Sequence, residues 1–528
     1  MSQSTLRQAA FVIFTVALAA GPLSSSETLA QAARPSGSGQ SATPQGPAIS
    51  ISMEDAVKMA LESNLGLAAD KLGPEIQAQT LAAARAFYNP QFSTTLTRLD
   101  NVNAPSNPFD SSASSVTSKT NRFQTAVSQN VKWYGGSYQV SWGGSRSENS
   151  SAGNPFNPVL GSSFGVAFNQ PLLRNFRIDP SRAAVKTNQI QQQVSDIVLL
   201  ESIARTARDA RVQYLNLVGA IEGRKVAQQN LDLAKESLRG DRARVDVGLM
   251  APADITGSEA SVALNEDAVI AADGNVARAM DQLRQYILDP ARPDYWTAQI
   301  VPTDTIIAEP RQLDVEGAVK AALENRSDLI QVRKNIEISR VQIDVLHNAT
   351  LPTLDFNVNY QGSGTAGTKL DYLNNDYNNP VVSGTKGFGS ALSDAFGYAF
   401  PNWTYQIVGR YPIIGRSDTR ANYTRAQLQM KQLETSLREA ELTVAIQVRD
   451  AARQVETSFK RVQTARASLA AQIKRLEAET KRFEVGTSDT LRVFLVQRDV
   501  AQARVSELQA MLSYSQALIN FEAVQHIR

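Results

Sequence analysis

The chain of 528 residues contains no cysteine and only two histidines, His347 and His526. Disulfide bonds and a thiol nucleophile are therefore excluded, and a metal centre built on histidine is not expected. Lysine plus arginine (53) nearly balances aspartate plus glutamate (51), so the basic excess of a nucleic-acid-binding protein is missing. Nucleophile elbows, phosphate loops and zinc-ligand spacings are missing too. We expect no enzyme activity, no cofactor and no nucleic-acid partner.

Long apolar runs are also scarce. Ala9–Ala20 is apolar, follows Arg7 and precedes a small-residue pattern at 30–32, which is typical of a cleaved secretory signal. At about 12 residues it is shorter than the ~20 that an uncleaved membrane anchor needs. We expect a signal peptide at 1–32 and a disordered Pro/Gly/Ser linker at 33–48. A mature chain without apolar helices can cross a membrane only as a closed β-barrel.

What the chain does contain is a long internal match. Residues 53–97 align without a gap on 315–359, and residues 181–285 align without a gap on 419–523. Repeats of this length indicate a duplicated structural unit. The expected domains are repeat 1 at 49–289, an inter-repeat segment at 290–313 and repeat 2 at 314–528.

Each repeat contains a very long helical segment. Residues 181–247 and 419–485 carry neither proline nor a cluster of turn residues, and each corresponds to roughly 100 Å of helix. Their apolar residues recur at spacings of three, four and seven, which is typical of coiled-coil packing. A glycine ends each run, and a second helix is expected after it. The expected helices are hairpins at 181–288 and 419–526 and shorter helices at 53–87, kinked by Gly73-Pro74, and 315–349.

Between the helices, apolar residues alternate with polar ones, which is typical of strands with two different faces. Strands are expected within 91–170 and 353–411, with polar loops at 100–121, 148–161 and 362–400. An additional hairpin is expected at 122–147, either in the barrel or outside it.

Aromatic residues on one face of these strands suit an outer-membrane barrel, and a small soluble β-layer packed on the helices is the alternative. Four strands, or six with the additional hairpin, are too few to close a membrane barrel, for which eight is the usual minimum. Open sheet edges cannot face lipid. If the strands lie in a membrane, several copies of the chain must contribute them.

Five segments carry a resemblance to a known family. A proline opens each strand region in 88–90 and 351–352, and Gln-Pro-Leu-Leu at 170–173 leads to the first long helix. The hairpin tips read Arg-Val-Asp-Val-Gly-Leu at 244–249 and Arg-Phe-Glu-Val-Gly-Thr at 482–487. Together with the signal peptide and the repeats, over about residues 50–528, the chain resembles the TolC-like outer-membrane efflux proteins, also called outer membrane factors.

The resemblance implies an α+β membrane protein in which coiled-coil hairpins form an α-barrel and strands form a transmembrane β-barrel. It implies a homotrimer with a 12-stranded barrel, four strands per chain, in outer-membrane lipid, with a helical tunnel extending into the periplasm. Such channels serve tripartite efflux or type I secretion systems with a periplasmic adaptor and an inner-membrane pump or secretion ATPase. Segment 290–313 would form the mid-tunnel belt. The adaptor would contact the tips at Gly248, Leu249, Gly486 and Thr487. A periplasmic adaptor or structural coiled-coil protein is the alternative function.

The gate region departs from the best-known members of the family. Asp254 matches an aspartate that links neighbouring helices in the closed state, but its aromatic and basic partners would here be Phe483 and Ser488. The expected aspartate ring is replaced by Arg492 and Leu495. A ring of Arg492 near the constriction would attract anions, which leads us to expect a weaker closed state and altered selectivity. An Arg492 that points outward into solvent is the alternative.

Overall fold

The computed structural model describes residues 48–105, 114–248, 250–306, 308–373, 376–377, 379–411 and 417–525. The expected signal peptide, most of the expected linker, Leu249 and His526 lie outside these residues. Ala48, expected in the linker, begins a strand instead.

The described strands and helices have the following bounds. The strands are β1 (Ala48–Ile51), β2 (Gln91–Asn103), β3 (Val116–Asn130), β4 (Ser137–Asn149), β5 (Phe156–Pro171), β6 (Gln299–Pro302), β7 (Thr353–Asp371), β8 (Val381–Lys386) and β9 (Pro401–Arg410). The helices are α1 (Met53–Ser63), α2 (Leu65–Ala86), α3 (Pro180–Asp246), α4 (Ile255–Ile287), α5 (Val315–Asn325), α6 (Ser327–Ala349), α7 (Phe388–Phe396), α8 (Ser417–Glu484) and α9 (Thr490–Gln525).

Two long helical hairpins, α3–α4 and α8–α9, dominate the helical part. Asp179 starts α3 by accepting hydrogen bonds from the backbone of Ser181 (2.8 Å) and Arg182 (2.9 Å), and Pro180 occupies the first turn, where its missing N–H costs nothing. The observed bounds of the hairpins lie close to those expected from the sequence. Spacing alone was informative here because these helices are long and strongly periodic.

The shorter helices break at places that the sequence analysis did not predict. Asn64 separates α1 from α2 and caps α2 by accepting a hydrogen bond from the backbone N–H of Leu67 (2.9 Å). Arg326 separates α5 from α6 at the corresponding position of the second half. Pro74, expected to kink the first helix, lies inside α2, and the break between the two helices is at Asn64.

Two apolar clusters hold the hairpins and the shorter helices together. The first contains Leu217 and Leu283, both fully buried, and β1 and β6 pair in parallel beside it. The second contains Val448 and Val462, also fully buried. Burying each such side chain contributes about 1.5–3 kcal/mol before entropy is counted. Segment 290–313, expected as a linker, thus contributes the strand β6 to the first cluster.

The remaining strands form one seven-stranded antiparallel sheet in the order β2-β3-β4-β5-β7-β8, with β9 also paired to β7. Strands β8 and β9 both pair with the same edge of β7. Strand β9 pairs with the first half of β7, and β8 pairs with its last residues. Helix α7 lies between β8 and β9 in the chain. The expectation of four strands per chain is therefore wrong for this structure. The additional hairpin lies inside the sheet as β3 and β4, between β2 and β5.

The expected loop at 362–400 is also wrong in part, because it contains the end of β7 together with β8 and α7. This segment is rich in glycine and serine and was interpreted as a loop from composition. Two of those glycines have a packing role instead. An added Cβ at Gly364 would lie 1.9 Å from the carbonyl oxygen of Ala391, so only glycine allows α7 to approach the sheet this closely.

Candidate functional site

The seven-stranded sheet has two chemically different faces, because neighbouring residues of a strand point to opposite sides. Cross-strand register defines the aromatic face by Leu96, Phe123, Trp142, Phe164, Tyr360 and Trp403. It defines the polar face by Thr95, Gln124, Ser141, Ser163, Gln361 and Thr404.

The sheet curls toward its polar face, which lines a depression of about 700 Å³ from β3 to β7. Its lining side chains are mostly uncharged amides and hydroxyls, and Arg122 is the charged residue among them. Such a surface suits contact with water.

Aromatic rings continue across the opposite face from strand to strand. The centroids of Phe123 and Trp142 lie 4.9 Å apart, and those of Tyr360 and Trp403 lie 4.8 Å apart. Helix α7 covers part of this face, with Ala391 and Ala395 fully buried and Phe396 against Phe164 at 4.7 Å. Outside the area that α7 covers, Phe92, Leu96, Tyr405 and Ile407 of this face are exposed, which suits contact with lipid.

At the other end of the molecule, both long helices end in a left-handed glycine. Gly248 and Gly486 each have φ of +77°, and an added Cβ at either position would meet no atom within 4 Å. The backbone N–H of Gly248 donates to the carbonyl of Val245 (2.9 Å), and that of Gly486 donates to the carbonyl of Phe483 (3.1 Å). The sequence-predicted tips are thus open turns, and the N–H of Thr487 closes the second one by donating to Arg482 (2.9 Å).

Two apolar residues at these tips were not predicted as contact residues. Val247 and Val485 occupy corresponding positions before the glycines and are 70% and 74% exposed. The available signal was the apolar residue immediately before each helix-ending glycine. That pattern is also part of an ordinary helix stop and therefore did not indicate a contact site. Paired exposed valines give each tip an apolar contact point.

Behind the first tip, a buried carboxylate ties α3 to α4. Ser258 donates to Asp241 at 2.6 Å, and Asp241 is 3% exposed. Nearby, Arg242 and Glu259 form an exposed ion pair at 2.9 Å. Glu259 is therefore engaged by an arginine.

The second hairpin has a matching arrangement built from different residues. The hydroxyl of Ser488 donates to Glu479, which is buried and also pairs with Arg482 at 3.4 Å. Ser488 was considered from the sequence only as a position lacking a basic gate residue. The structure gives it a carboxylate partner within its own hairpin.

Phe483 joins the two hairpins. The guanidinium carbon of Arg244, at the end of α3, lies 4.1 Å from the ring centroid of Phe483, at the end of α8, in a cation–π contact. The backbone of Asp254 ends a short 3₁₀ turn at 252–254, and its side chain is not among those described. The structure therefore places Phe483 against an arginine, and the weaker closed state expected at Asp254 stays a prediction.

Arg492 and Leu495 lie on the first turns of α9. The guanidinium of Arg492 is 67% exposed and pairs with Asp489 at 3.5 Å. Leu495 is 37% exposed. Both are available to a pore or to a partner helix.

The middle of the helical part is locked by a buried hydroxyl. Tyr214, fully buried, donates its hydroxyl to the carbonyl of Ile51 and lies 3.1 Å from a carboxylate oxygen of Asp304. The backbone N–H of Met53 donates to the same carboxylate at 2.7 Å. Burial is the main cause that raises the pKa of Tyr214, so the neutral phenol is favoured.

Two features are missing from the described residues. Within 48–525, less the gaps stated above, no three or more histidines, aspartates or glutamates lie where they could hold a metal ion. No helix in this part of the chain combines the length and the apolar character needed to cross a membrane.

Solved structures with the same fold are outer-membrane channels. The chain superimposes on CmeC of Campylobacter jejuni with a TM-score of 0.63 and 15% identity, covering 90% of this chain and 85% of that one. For CusC the TM-score is 0.64 at 13% identity, with 92% and 96% covered. For the open state of MtrE of Neisseria gonorrhoeae they are 0.59 and 15%, with 90% and 89% covered. At these identities the likeness establishes the fold alone.

Sequence comparison points to the same group. TolC of Escherichia coli K12 is 28% identical over 183 residues, which is 32% of this chain and 36% of TolC. The aligned region thus spans about a third of that relative. The model of the outer membrane efflux protein family matches residues 121–287 and 318–524, most of the chain. The chain therefore belongs to the outer membrane efflux protein family.

Proposed function

We propose that this protein forms the outer-membrane channel of a tripartite efflux or type I secretion system, as a homotrimer whose sheets join into one barrel. The observation that carries the proposal is a curled sheet with a polar concave face, an aromatic convex face and two free edges. The polar face lines the pore, the aromatic face contacts lipid, and the helical hairpins extend the pore into the periplasm.

The free edges require more than one copy. Strand β2 is exposed along its whole length and pairs only with β3 among the described strands, and β9 likewise pairs only with β7. Unpaired backbone groups at these edges would cost several kcal/mol each in lipid. Because β8 and β9 occupy one column, the sheet has six columns in all, and alternating directions make β2 and β9 run oppositely. The β2 edge of one copy can therefore pair with the β9 edge of the next in the antiparallel pattern of membrane barrels.

The thickness of the apolar region fits an outer membrane. On the aromatic face, β7 carries no charged residue from Phe356 to Ala366. Ala366 lies in the same cross-strand row as Arg146 of β4, which is the first charged residue on this face. At ~3.3 Å per residue this is about 33 Å of strand, or about 25 Å across the bilayer at a tilt of ~40°. An outer-membrane barrel presents an apolar band of about 25 Å.

Three copies of six columns give eighteen strands, whereas the resemblance alone implied twelve. Barrel diameter grows roughly linearly with strand number. The lumen is therefore about one and a half times as wide as that of a twelve-stranded barrel. Within the membrane, such a lumen admits bulkier cargo than a twelve-stranded barrel does. The width of the helical tunnel behind it then limits the cargo when that tunnel is closed.

Internal duplication explains the two hairpins. The helix breaks at Asn64 and Arg326, the left-handed glycines and the exposed valines all recur at corresponding positions. We assign 49–289 and 314–528 to the two repeats and 290–313 to the belt between them. The tips at 247–249 and 485–487 contact the periplasmic adaptor, which an inner-membrane pump or secretion ATPase accompanies.

Cysteine cross-linking tests the joining of edges directly, because the natural chain contains no cysteine. Thr95→Cys on the polar face of β2 is combined in turn with cysteine at Asn402, Thr404, Gln406 or Val408, which lie on the same face of β9. Oxidation of the purified protein should give covalent dimers and trimers for at least one combination, since paired strands bring Cβ atoms within 5.5 Å.

Trp403→Cys and Tyr405→Cys, on the opposite face of the same strand, are the matched controls and should not cross-link to Thr95→Cys. Absence of cross-links from every same-face pair, with the protein migrating as a single copy, would contradict the proposal.

A further inference from the structure

An apolar groove lies on the aromatic face where α7 meets the sheet. It has a volume of about 560 Å³, within the range of small-ligand sites, and its walls are almost entirely apolar. Leu96, Phe123 and Leu160 line it from the sheet, and Phe388 lines it from α7. The rings of Phe123 and Phe388 cover Gly144, where an added Cβ would lie 2.3 Å and 2.9 Å from them.

Two arginines stand at the rim of this groove, on the same face. Arg98 of β2 and Arg146 of β4 lie in one cross-strand row with Asn121 between them. Their backbones are two strands apart, about 10 Å, which two extended arginine side chains can bridge. This row is the first charged one beyond the apolar region, at the end of the sheet distant from the helical hairpins. In the proposed channel it lies at the outer-leaflet headgroups.

The arginines are paired but not saturated. Arg98 contacts Asp100 at 3.1 Å and Arg146 contacts Glu148 at 2.6 Å, and both arginines are more than half exposed. The carboxylates lie one row farther from the apolar region, in register with Lys119. A guanidinium has five N–H donors, so each keeps donors free after a contact with one carboxylate. Three cations against two carboxylates leave this rim positive.

We propose that this groove binds an anionic lipid of the outer leaflet whose phosphate is a terminal monoester. Its acyl chain lies along Leu96 and Leu160 beside the packed rings of Phe123 and Phe388. Its phosphate accepts hydrogen bonds from Arg98 and Arg146. The charge-free region below and the cationic row above match the two chemical parts of such a lipid, and guanidinium is the side-chain group best shaped for phosphate. The inference rests on the proposed membrane position of the sheet.

Native mass spectrometry of the purified full-length protein tests this, because one spectrum counts both protein copies and bound lipids. The probes are dioleoyl phosphatidate, dioleoyl phosphatidylcholine with the same chains, and glycerol phosphate with the headgroup chemistry but no chains. We expect phosphatidate to be retained at least about tenfold more than phosphatidylcholine, with glycerol phosphate not competing.

The double variant Arg98→Gln/Arg146→Gln should lose this preference, and Phe388→Ser should weaken phosphatidate binding with the rim intact. Arg122→Gln is the matched control, because Arg122 lies on β3 in the adjacent cross-strand row but on the polar face. Equal retention of both lipids, an unchanged preference in the double variant, or full competition by glycerol phosphate would each overturn the inference. Trimers that bind no lipid selectively would overturn the inference and leave the proposed function unaffected. Single copies would instead contradict the proposed function.

Discussion

At the scale of single residues, buried hydroxyl–carboxylate contacts connect elements that are distant in sequence. Tyr214 is the clearest example, because its hydroxyl meets both the carbonyl of Ile51 and the carboxylate of Asp304. It ties α3 to the start of the described chain and to the segment after β6. The two halves of the helical part depend on such contacts where apolar packing alone does not fix the geometry.

Replacing Tyr214 by phenylalanine should lower the free energy of unfolding by about 1–2 kcal/mol, since the hydrogen bond to Ile51 is lost and the backbone N–H of Asp304 loses its acceptor. Thermal or denaturant unfolding of the purified protein measures this. Tyr286→Phe, in a tyrosine packed against the same apolar cluster, is the control and should have a smaller effect. An equal effect of the two substitutions would show that the hydrogen bonds are not the cause.

The contribution of Tyr214 to stability should also depend on pH. Burial raises the pKa of Tyr214 in the folded protein, so its contribution is complete below the unfolded value of about 10 and is lost as pH rises through the folded value. The stability advantage of the natural protein over Tyr214→Phe should therefore be constant between pH 7 and 9 and decline above pH 10. An advantage that instead grows above pH 10 would reverse the assigned sign.

Arg492 carries a prediction about selectivity. If three copies of it line the constriction, Arg492→Asp should shift single-channel permeability from anions toward cations. Arg498→Asp is the matched control, an exposed arginine on the same helix that also lies beside an aspartate. An unchanged anion/cation ratio in Arg492→Asp would place Arg492 outside the pore.

At the scale of elements, the hairpin tips depend on glycine conformation. Gly248→Ala or Gly486→Ala should each cost about 1 kcal/mol of unfolding free energy, because a Cβ is disfavoured at φ of +77°. Gly274→Ala, in the helical interior of α4 with no atom within 4 Å of an added Cβ, should stabilise by about 0.5–1 kcal/mol. If the tip substitutions also stabilise, helix propensity and not turn geometry governs these sites.

The elements also show what the sequence could predict. Long helices and their glycine ends followed from local periodicity, which needs no tertiary information. The sequence predicted the β3–β4 hairpin but not whether it joins the sheet. Its place between β2 and β5 depends on pairing between residues that are distant in sequence. Helix α7 was missed because nine residues containing glycine and serine give a weak local pattern, and its position depends on Gly364 in another element.

The candidate sites divide in the same way. The positions of Gly248, Gly486 and Thr487 could be read from the turn pattern. The contacts of Phe483 with Arg244 and of Ser488 with Glu479 could not, because each joins residues across a hairpin or between hairpins. A sequence register assigns such residues to family positions but does not show which neighbour each one contacts.

At the scale of the whole molecule, the central claim is that one chain supplies part of a barrel. Its sheet has a water-compatible face, a lipid-compatible face and two unpaired edges of opposite direction. In the proposed trimer, six strand columns per copy form a barrel wider than the family resemblance implied, and the cationic row lies at the lipid headgroups.

Cryo-electron microscopy of the protein in a lipid nanodisc tests this claim most directly, because strands can be counted in cross-section. We predict three copies around one closed barrel of eighteen strands, with β3 and β4 in the wall and β2 of each copy beside β9 of the next. A single copy, or a twelve-stranded barrel with the β3–β4 hairpin outside the wall, would contradict it.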